Sequence, residues 1–255
     1  MKIMSFNVLC GGPDEENRYW TQRKEMVLDV IKKYHPDSFG LQEAHHRWMN
    51  YLCKNLPEYD YVGVGRDNGK RMGEFSPVFY LKEKYEVVDS GNFWLSETPE
   101  KPGKGWDAAC VRICSYAVLK DKKTGEKYVH YNTHLDHKGQ VAMREGAKLI
   151  AERCIKYPDM PAFITGDFNV TPDSEAYKSV ITSGYSDSRH IAEKSDNTHT
   201  FHYFDKLDEG ELRRDIIDYI FAKNIKKCKT FKVITDKYNG EFPSDHYPVI
   251  AEFEI

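Results

Sequence analysis

The chain has 255 residues, with 37 Lys plus Arg against 40 Asp plus Glu, a formal charge of −3, and 40% hydrophobic and 13% aromatic residues. That composition excludes a disordered chain, and no apolar run approaches the roughly 18–20 residues of a membrane-spanning helix. The near-neutral balance argues against a protein that grips long duplex DNA through phosphates alone, and a chain this long needs no disulfide or metal staple to fold.

Residues 2–9 alternate as a strand from the first residues of the chain, with no apolar leader, so the reading is cytoplasmic. Residues 20–34 place Trp20, Val27, Val30, Ile31 and Tyr34 near one helical face, with Arg23, Lys24, Lys32 and Lys33 mostly outside it. His35-Pro36-Asp37 stops that helix, and Ser38–Leu41 reads as a short buried strand ending at Gln42-Glu43. A second helix runs to about Leu56. Strands follow near 59–64, 75–81, 86–94, 110–119 and 127–134, the last two joined by a turn at Asp121–Gly125. Helices are predicted over 139–156 and 173–183, with a strand over 161–165 between them. Strands return near 199–204, 216–222, 229–234 and 247–254. Thr98–Gly105 is a loop, and no linker divides the chain, which reads as one domain over 1–255. Hairpins mixed with strand–helix–strand units predict two mixed sheets with helices outside.

Acids, amides and histidines gather where the apolar runs end. The clusters are Phe6-Asn7, Leu41-Gln42-Glu43, Asn132–His137, Gly166-Asp167-Phe168-Asn169 and Ser244-Asp245-His246, with Asp218 inside the apolar run Ile216–Phe221. A buried carboxylate costs several kcal/mol unless it is paired or metal-bound. Asp167 and Asn169, two apart, point the same way on extended chain. Asp218 needs a hydrogen-bonding or cationic partner, for which His246 is the natural candidate. Asn7, Glu43, Asp167 and Asp245 are hard oxygen donors that suit Mg²⁺ or Mn²⁺, while His134 and His246 offer proton transfer or hydrogen bonds to phosphate. Carboxylates, a divalent ion and two histidines are what phosphoester hydrolysis needs. The six cysteines form no CxxC pair and read as reduced thiols.

With these motifs in order from Ser5-Phe6-Asn7-Val8 to Ser244–Val249, the chain resembles the endonuclease/exonuclease/phosphatase superfamily, whose type is DNase I. The resemblance implies a four-layer α/β/β/α sandwich of two mixed sheets, with the site at one edge of both. It implies Glu43 as the main metal ligand, with Asn7 and Asp245 close to the ion or the phosphate. Asp167 would position or deprotonate the attacking water, and Asn169 would steady it. His246 would pair with Asp218, and His134 would contact the scissile phosphate. A looser match pairs His134 with Glu74, in Gly73–Tyr80. Asn92–Pro99, Gly105-Trp106-Asp107 and Arg112 look like a bacterial branch of metal-dependent hydrolases, and Arg112, read as lying on a strand, suits phosphate binding.

The function that follows is a metal-dependent phosphoesterase using in-line water attack on a phosphodiester or phosphomonoester. The partner is a phosphate-ester substrate, a small molecule or nucleic acid, with no protein partner implied. A nuclease acting on DNA or RNA is one alternative, and a catalytically silent scaffold on the same fold is another. Plainer roles stay open for single residues. Asn7 can cap a turn, Glu43 can be a helix N-terminal acid, Asp218 a structural acid, Glu74 an exposed strand residue, and Arg112 a surface ion pair.

Overall fold

The computed structural model describes residues 1–10, 20–205 and 216–255. In chain order the first half comprises β1 (Lys2–Asn7), α1 (Trp20–Tyr34), β2 (Ser38–Gln42), α2 (His46–Asn55), β3 (Tyr59–Val62), β4 (Val78–Leu81), β5 (Tyr85–Trp94), β6 (Ile113–Asp121) and β7 (Lys127–His134). The second half comprises α3 (Gln140–Arg153), β8 (Ala162–Asp167), α4 (Glu175–Thr182), β9 (Ser186–Asp187), α5 (Ser188–Ile191), β10 (Lys194–Ser195), β11 (Asp218–Lys223), β12 (Lys227–Val233) and β13 (Val249–Glu254). Among the described residues, seven strands form one sheet in the order β10-β12-β13-β1-β2-β4-β3, and six form a second in the order β5-β6-β7-β8-β11-β9. Both are mixed: β1–β2 and β7–β8 run parallel, β1–β13 and β8–β11 antiparallel.

Alternation along the strands builds the layers. On β1, Met4 and Phe6 point to the helix side, where Val27, Val30 and Ile31 of α1 and Trp48, Met49 and Leu52 of α2 cover them. Ile3 points the other way, into a core shared with Phe163 of β8, Ile220 of β11 and Val249 of β13. On the far side of the second sheet, Met143, Ala147 and Ile150 of α3 and Tyr177 and Val180 of α4 pack on Val129, Tyr131, Ile164 and Phe221. The result is the expected sandwich, helices on sheet on sheet on helices. A one-residue slip of β1 would move Ile3 out of the central layer and swing Asn7 into the helix-side core, so hydrophobic burial fixes where the polar strand ends point.

The layer between the sheets changes character along its length. Its apolar part gives way to a buried polar lattice. Gln42 Nε2 donates to Asn132 Oδ1 at 2.7 Å and Thr165 Oγ1 donates to the same oxygen at 2.9 Å. Asn132 Nδ2 in turn donates to the Leu41 and Pro77 carbonyls at 2.8 and 3.0 Å. His130 bridges Ser38 Oγ (2.9 Å) and Thr165 Oγ1 (2.8 Å). Beyond this lattice, the strand ends carry the charged residues. Strand pairing sets His134 beside Asp167 and Asp167 beside Asp218 in one sheet, while Asn7 ends the facing strand β1.

Three sequence expectations are corrected. The predicted strand at 199–204 is a single bridge, Phe201 to His246, followed by a tight turn with Tyr203, Phe204 and Asp205 at positive φ. Its hydrogen bonds brace its neighbours instead of extending a ladder: Tyr247 N–H donates to the Thr200 carbonyl, and the Thr200 side-chain Oγ1 receives the Ile217 and Asp218 amides. Arg23 is not on an exposed helix face. It is 1% exposed and its guanidinium donates to the carbonyls of Val8, Leu9 and Pro243, tying the end of β1 to the loop before β13. Arg112 precedes β6, which begins at Ile113, and so lies in a loop. No helix among the described residues is long and apolar enough to cross a membrane.

Candidate active site

Seven stretches of the sequence deliver side chains to one cleft of about 310 Å³, lined by Glu43, Arg66, Glu74, Cys110, Arg112, His134, His137, Asp167, Asn169, Phe201, Asp245 and His246. Backbone geometry at the strand ends aims them. β2 stops at Gln42, and Glu43 turns left-handed at φ 60°, a conformation that costs a non-glycine residue about 1 kcal/mol or more and persists where the surroundings impose it. Here they do: Glu43 Oε2 accepts the Cys10 amide at 2.9 Å and Oε1 accepts from Asn7 Nδ2 at 3.1 Å. Asn7 Nδ2 also reaches Asp167 Oδ2 at 2.9 Å, joining the two sheets across the cleft floor. Asn169 is also left-handed, at φ 52°. It shares the cleft with Asp167, but not through extended-chain alternation. Its backbone N–H folds back onto Asp167 Oδ1 at 2.9 Å.

His246 sits among carboxylates. Its Nδ1 lies 2.8 Å from Asp218 Oδ2 and its Nε2 lies 3.7 Å from Asp167 Oδ2. Phe201 covers the ring with centroids 4.9 Å apart. Burial disfavours the imidazolium, but Asp218, Asp167 and Asp245 outweigh it and raise the His246 pKa well above its ordinary value. His134 goes the other way: burial first, then Arg112 and Arg66, hold it neutral. Asn169 Nδ2 donates to the Leu135 carbonyl at 3.1 Å and meets His134 Nε2 at 3.0 Å, so its amide orientation is fixed and His134 carries its proton on Nδ1. That Nδ1 faces Glu74 Oε2 at 3.8 Å, beyond hydrogen-bond reach, because Glu74 is clasped by Arg66.

The acids separate as well. Burial opposes ionisation of Glu43, yet the Cys10 and Asn7 donors and the His246 charge hold its pKa below the usual range. Burial pushes Asp167 up to about 7, against the pull of His246 and with the repulsion of Asp218. Burial, then the Glu43 charge, raises Asp245.

All ten candidate residues named from sequence meet around this cleft. Nine of them, Asn7, Glu43, His134, Asp167, Asn169, Asp218, Asp245, His246 and Glu74, cluster about its floor and near side. Arg112 lines it too, its charge acting on His134 and its Nη2 3.1 Å from His137 Nδ1. Glu74 is not the exposed strand residue of the plainer reading, since its side chain is 15% exposed. Arg66, Cys110 and Phe201 line the cleft without having been singled out, and His137, the last residue of the Asn132–His137 cluster, lines it as well. Arg66 follows the predicted strand 59–64, so the strand-end signal was present, but a lone arginine there carries no metal chemistry. Its backbone carbonyl accepts Trp94 Nε1–H at 2.6 Å, which gives that tryptophan a positioning role. Phe201 fell inside a run predicted as strand. Glu43 and Asp245 supply hard oxygen donors and are negative groups within one another's field, so this pair of carboxylates fits a divalent cation; the Asn7 amide beside them turns its Nδ2 to Glu43 and Asp167 and its Oδ1 to the Leu9 amide.

A family model for the Endonuclease/Exonuclease/phosphatase family matches residues 4–246. An endonuclease/exonuclease/phosphatase from Bacteroides vulgatus shares 38% identity at a TM-score of 0.93, covering 100% of this chain and 98% of that one. The mannosyl-6-phosphatase of Bacteroides thetaiotaomicron shares 35% identity at a TM-score of 0.93, with both chains covered fully. The exoribonuclease subunit Ccr4 of the Emericella nidulans CCR4-Not complex is 24% identical over 100% of this chain and 52% of its own length, so the chain spans about half of that relative. With a match over nearly every residue and both sheets superposed on solved relatives, the chain belongs to the endonuclease/exonuclease/phosphatase family.

Proposed function

We propose that this protein is a divalent-metal-dependent phosphoesterase, hydrolysing a phosphate ester by in-line attack of water. The observation that carries this reading is the convergence of Asn7, Glu43, His134, Asp167, Asn169 and the Asp218–His246 pair on one cleft from distant parts of the chain. Glu43, with Asn7 and Asp245 beside it, would hold Mg²⁺ or Mn²⁺. When bound, the ion would withdraw charge from the phosphoryl oxygens.

The protein's own groups divide the remaining work. Asp167, buried and bonded to Asn7 and the Asn169 amide, orients the attacking water and takes its proton. Asp218 fixes the His246 ring and sustains its charge, so Nε2–H is directed at the oxygen that becomes negative in the transition state. Neutral His134 stands beside the attacking water's position, with Nε2 3.4 Å from Asp167 Oδ2 and its unpaired Nδ1–H turned toward Glu74. A scaffold keeping the fold for protein binding alone would gain nothing from burying these unpaired groups at a cost of roughly 1–3 kcal/mol each.

Asp167→Asn and His246→Ala should each lower turnover of bis(p-nitrophenyl) phosphate and p-nitrophenyl phosphate by about 10²–10⁴-fold or more, with the far-ultraviolet circular dichroism spectrum unchanged. Wild-type rates from both variants would overturn these roles. Substrate identity is tested with Mg²⁺ or Mn²⁺ on a panel of hexose 6-phosphates, nucleotides, single-stranded RNA and DNA, abasic duplex, inositol phosphates and sphingomyelin. The likeness to a mannosyl-6-phosphatase at 35% identity puts sugar phosphates first, and that to Ccr4 keeps single-stranded RNA in the panel.

A further inference from the structure

Arg112 is 5% exposed, lines the cleft, and leaves two of its nitrogens, Nε and Nη1, without a hydrogen bond. Its Nη2 meets His137 Nδ1 at 3.1 Å, and Nε lies 3.5 Å from Asp136 Oδ2, an ion pair without hydrogen-bond geometry. Asp136 cannot turn to satisfy it, because the Asp136 oxygens accept four backbone amides, those of Ala109, Cys110, Lys138 and Gly139, at 2.9–3.2 Å. The carboxylate therefore clamps the two loops that carry Arg112 and His137 and holds the guanidinium from behind. Arg66, the other arginine of the cleft, is already committed to Glu74. A buried cation with unpaired N–H groups is an expensive arrangement in the free protein. A planar fork of N–H donors matches two oxygens of a phosphate.

We infer that Arg112, in the lining of the cleft beside His134 and His137, is the residue that recognises the terminal phosphate of a phosphomonoester and selects it over a diester. This deepens the phosphoesterase reading and rests on it. A terminal phosphate carries about −1.5 to −2 charge near neutral pH and three strong acceptor oxygens. A diester carries a single negative charge and two non-bridging oxygens, with a second organic group in place of the third. His134, Asn169 and His246 stand at one side of the cleft and can address two oxygens. The guanidinium of Arg112 supplies the donors for the third, where a diester would present an ester oxygen bearing carbon.

The test compares wild type with Arg112→Gln and Arg112→Lys, all as full chains with Mg²⁺, each checked for folding by thermal melting. In wild type, kcat/KM for p-nitrophenyl phosphate should exceed that for bis(p-nitrophenyl) phosphate. Arg112→Gln should lower the monoester value by about 10–100-fold and the diester value by much less, with Arg112→Lys between them. Binding by calorimetry gives a readout that needs no turnover: inorganic phosphate should bind wild type at least about 10-fold tighter than dimethyl phosphate, and Arg112→Gln should erase the difference. Equal loss on both esters, or unchanged phosphate binding in Arg112→Gln, would overturn the assignment. If wild type binds phosphate selectively through Arg112 but hydrolyses neither ester, the phosphoesterase reading fails while the recognition role stands.

Discussion

His130 shows how burial sets a titration behaviour that an exposed histidine never has. Wedged between Ser38 and Thr165 and completely buried, it is held neutral, with its pKa lowered to about 3 by burial. As pH falls below about 6.5 the unfolded chain binds a proton at this residue and the folded chain does not, so stability falls toward acid. The contribution is complete above the unfolded pKa and declines by about 1.4 kcal/mol per pH unit between about 6.5 and 3. Urea unfolding of wild type and His130→Gln at pH 7, 6 and 5 should show their stability difference shrinking by about that slope. A difference independent of pH would mean that His130 titrates in the fold as it does in the unfolded chain. His246, similarly buried, keeps its charge because Asp218 and Asp167 adjoin it. The same side chain thus serves as a neutral lattice member in one place and as a charged donor in the other, and the neighbours decide which.

At the scale of elements, the site depends on how closely two sheets approach. Gly40 on β2 faces Asn132 on β7, and a Cβ at that position would lie 2.1 Å from Asn132 Oδ1 and 2.5 Å from Thr165 Oγ1. These atoms belong to the lattice that locks the sheets in register directly beneath the catalytic layer, and neither is the far end of a flexible chain. Gly40→Ala should therefore destabilise the fold by about 2–4 kcal/mol through overpacking and a broken buried hydrogen bond. Denaturant midpoints measure this directly, and a loss below about 0.5 kcal/mol would show that the sheets separate freely here. The strand ends extend the same logic. Glu43 and Asn169 leave β2 and β8 in the left-handed region, and each is held there by amide bonds. Rigid strands thus present the chemistry through one strained residue apiece.

For the whole molecule, the governing fact is charge. The chain is nearly neutral at −3, yet Glu43, Glu74, Asp167, Asp218 and Asp245 gather in and beneath one cleft. Concentrated negative charge destabilises the compact state unless cations balance it, and Arg66, Arg112 and the His246 imidazolium offset only part of these five acids. Saturating Mg²⁺ or Mn²⁺ should raise the melting temperature by about 5–10 °C, corresponding to roughly 2.7 kcal/mol at a hundredfold excess over Kd. EDTA should reverse the rise and Glu43→Gln should abolish it. An unchanged melting temperature in scanning fluorimetry would separate the cleft from metal binding.

Much of this was legible in the chain itself. Alternation in residues 2–9 and the short apolar run at 161–165 marked strands, and small polar clusters at the ends of the apolar runs marked Asn7, Glu43, His134, Asp167, Asn169, Asp245 and His246 as candidates. Strand periodicity and strand-end chemistry are local properties, and local order is enough to express them. Other features required the folded chain. Arg23 reads as a surface helix residue until the ends of β1 and the loop before β13 meet over it. Residues 199–204 have the residues of a strand but pair at a single bridge, Phe201 to His246, so their other hydrogen bonds brace the start of β11 at Asp218 and the loop around Asp245. Arg66, Phe201 and the unpaired face of Arg112 enter the cleft through loops whose paths are set by contacts across long sequence separations. Sequence determined which groups carry chemistry; the packing of two sheets decided which of them share water, charge and a common ligand, because proximity between distant segments is a property of the fold and of no segment alone.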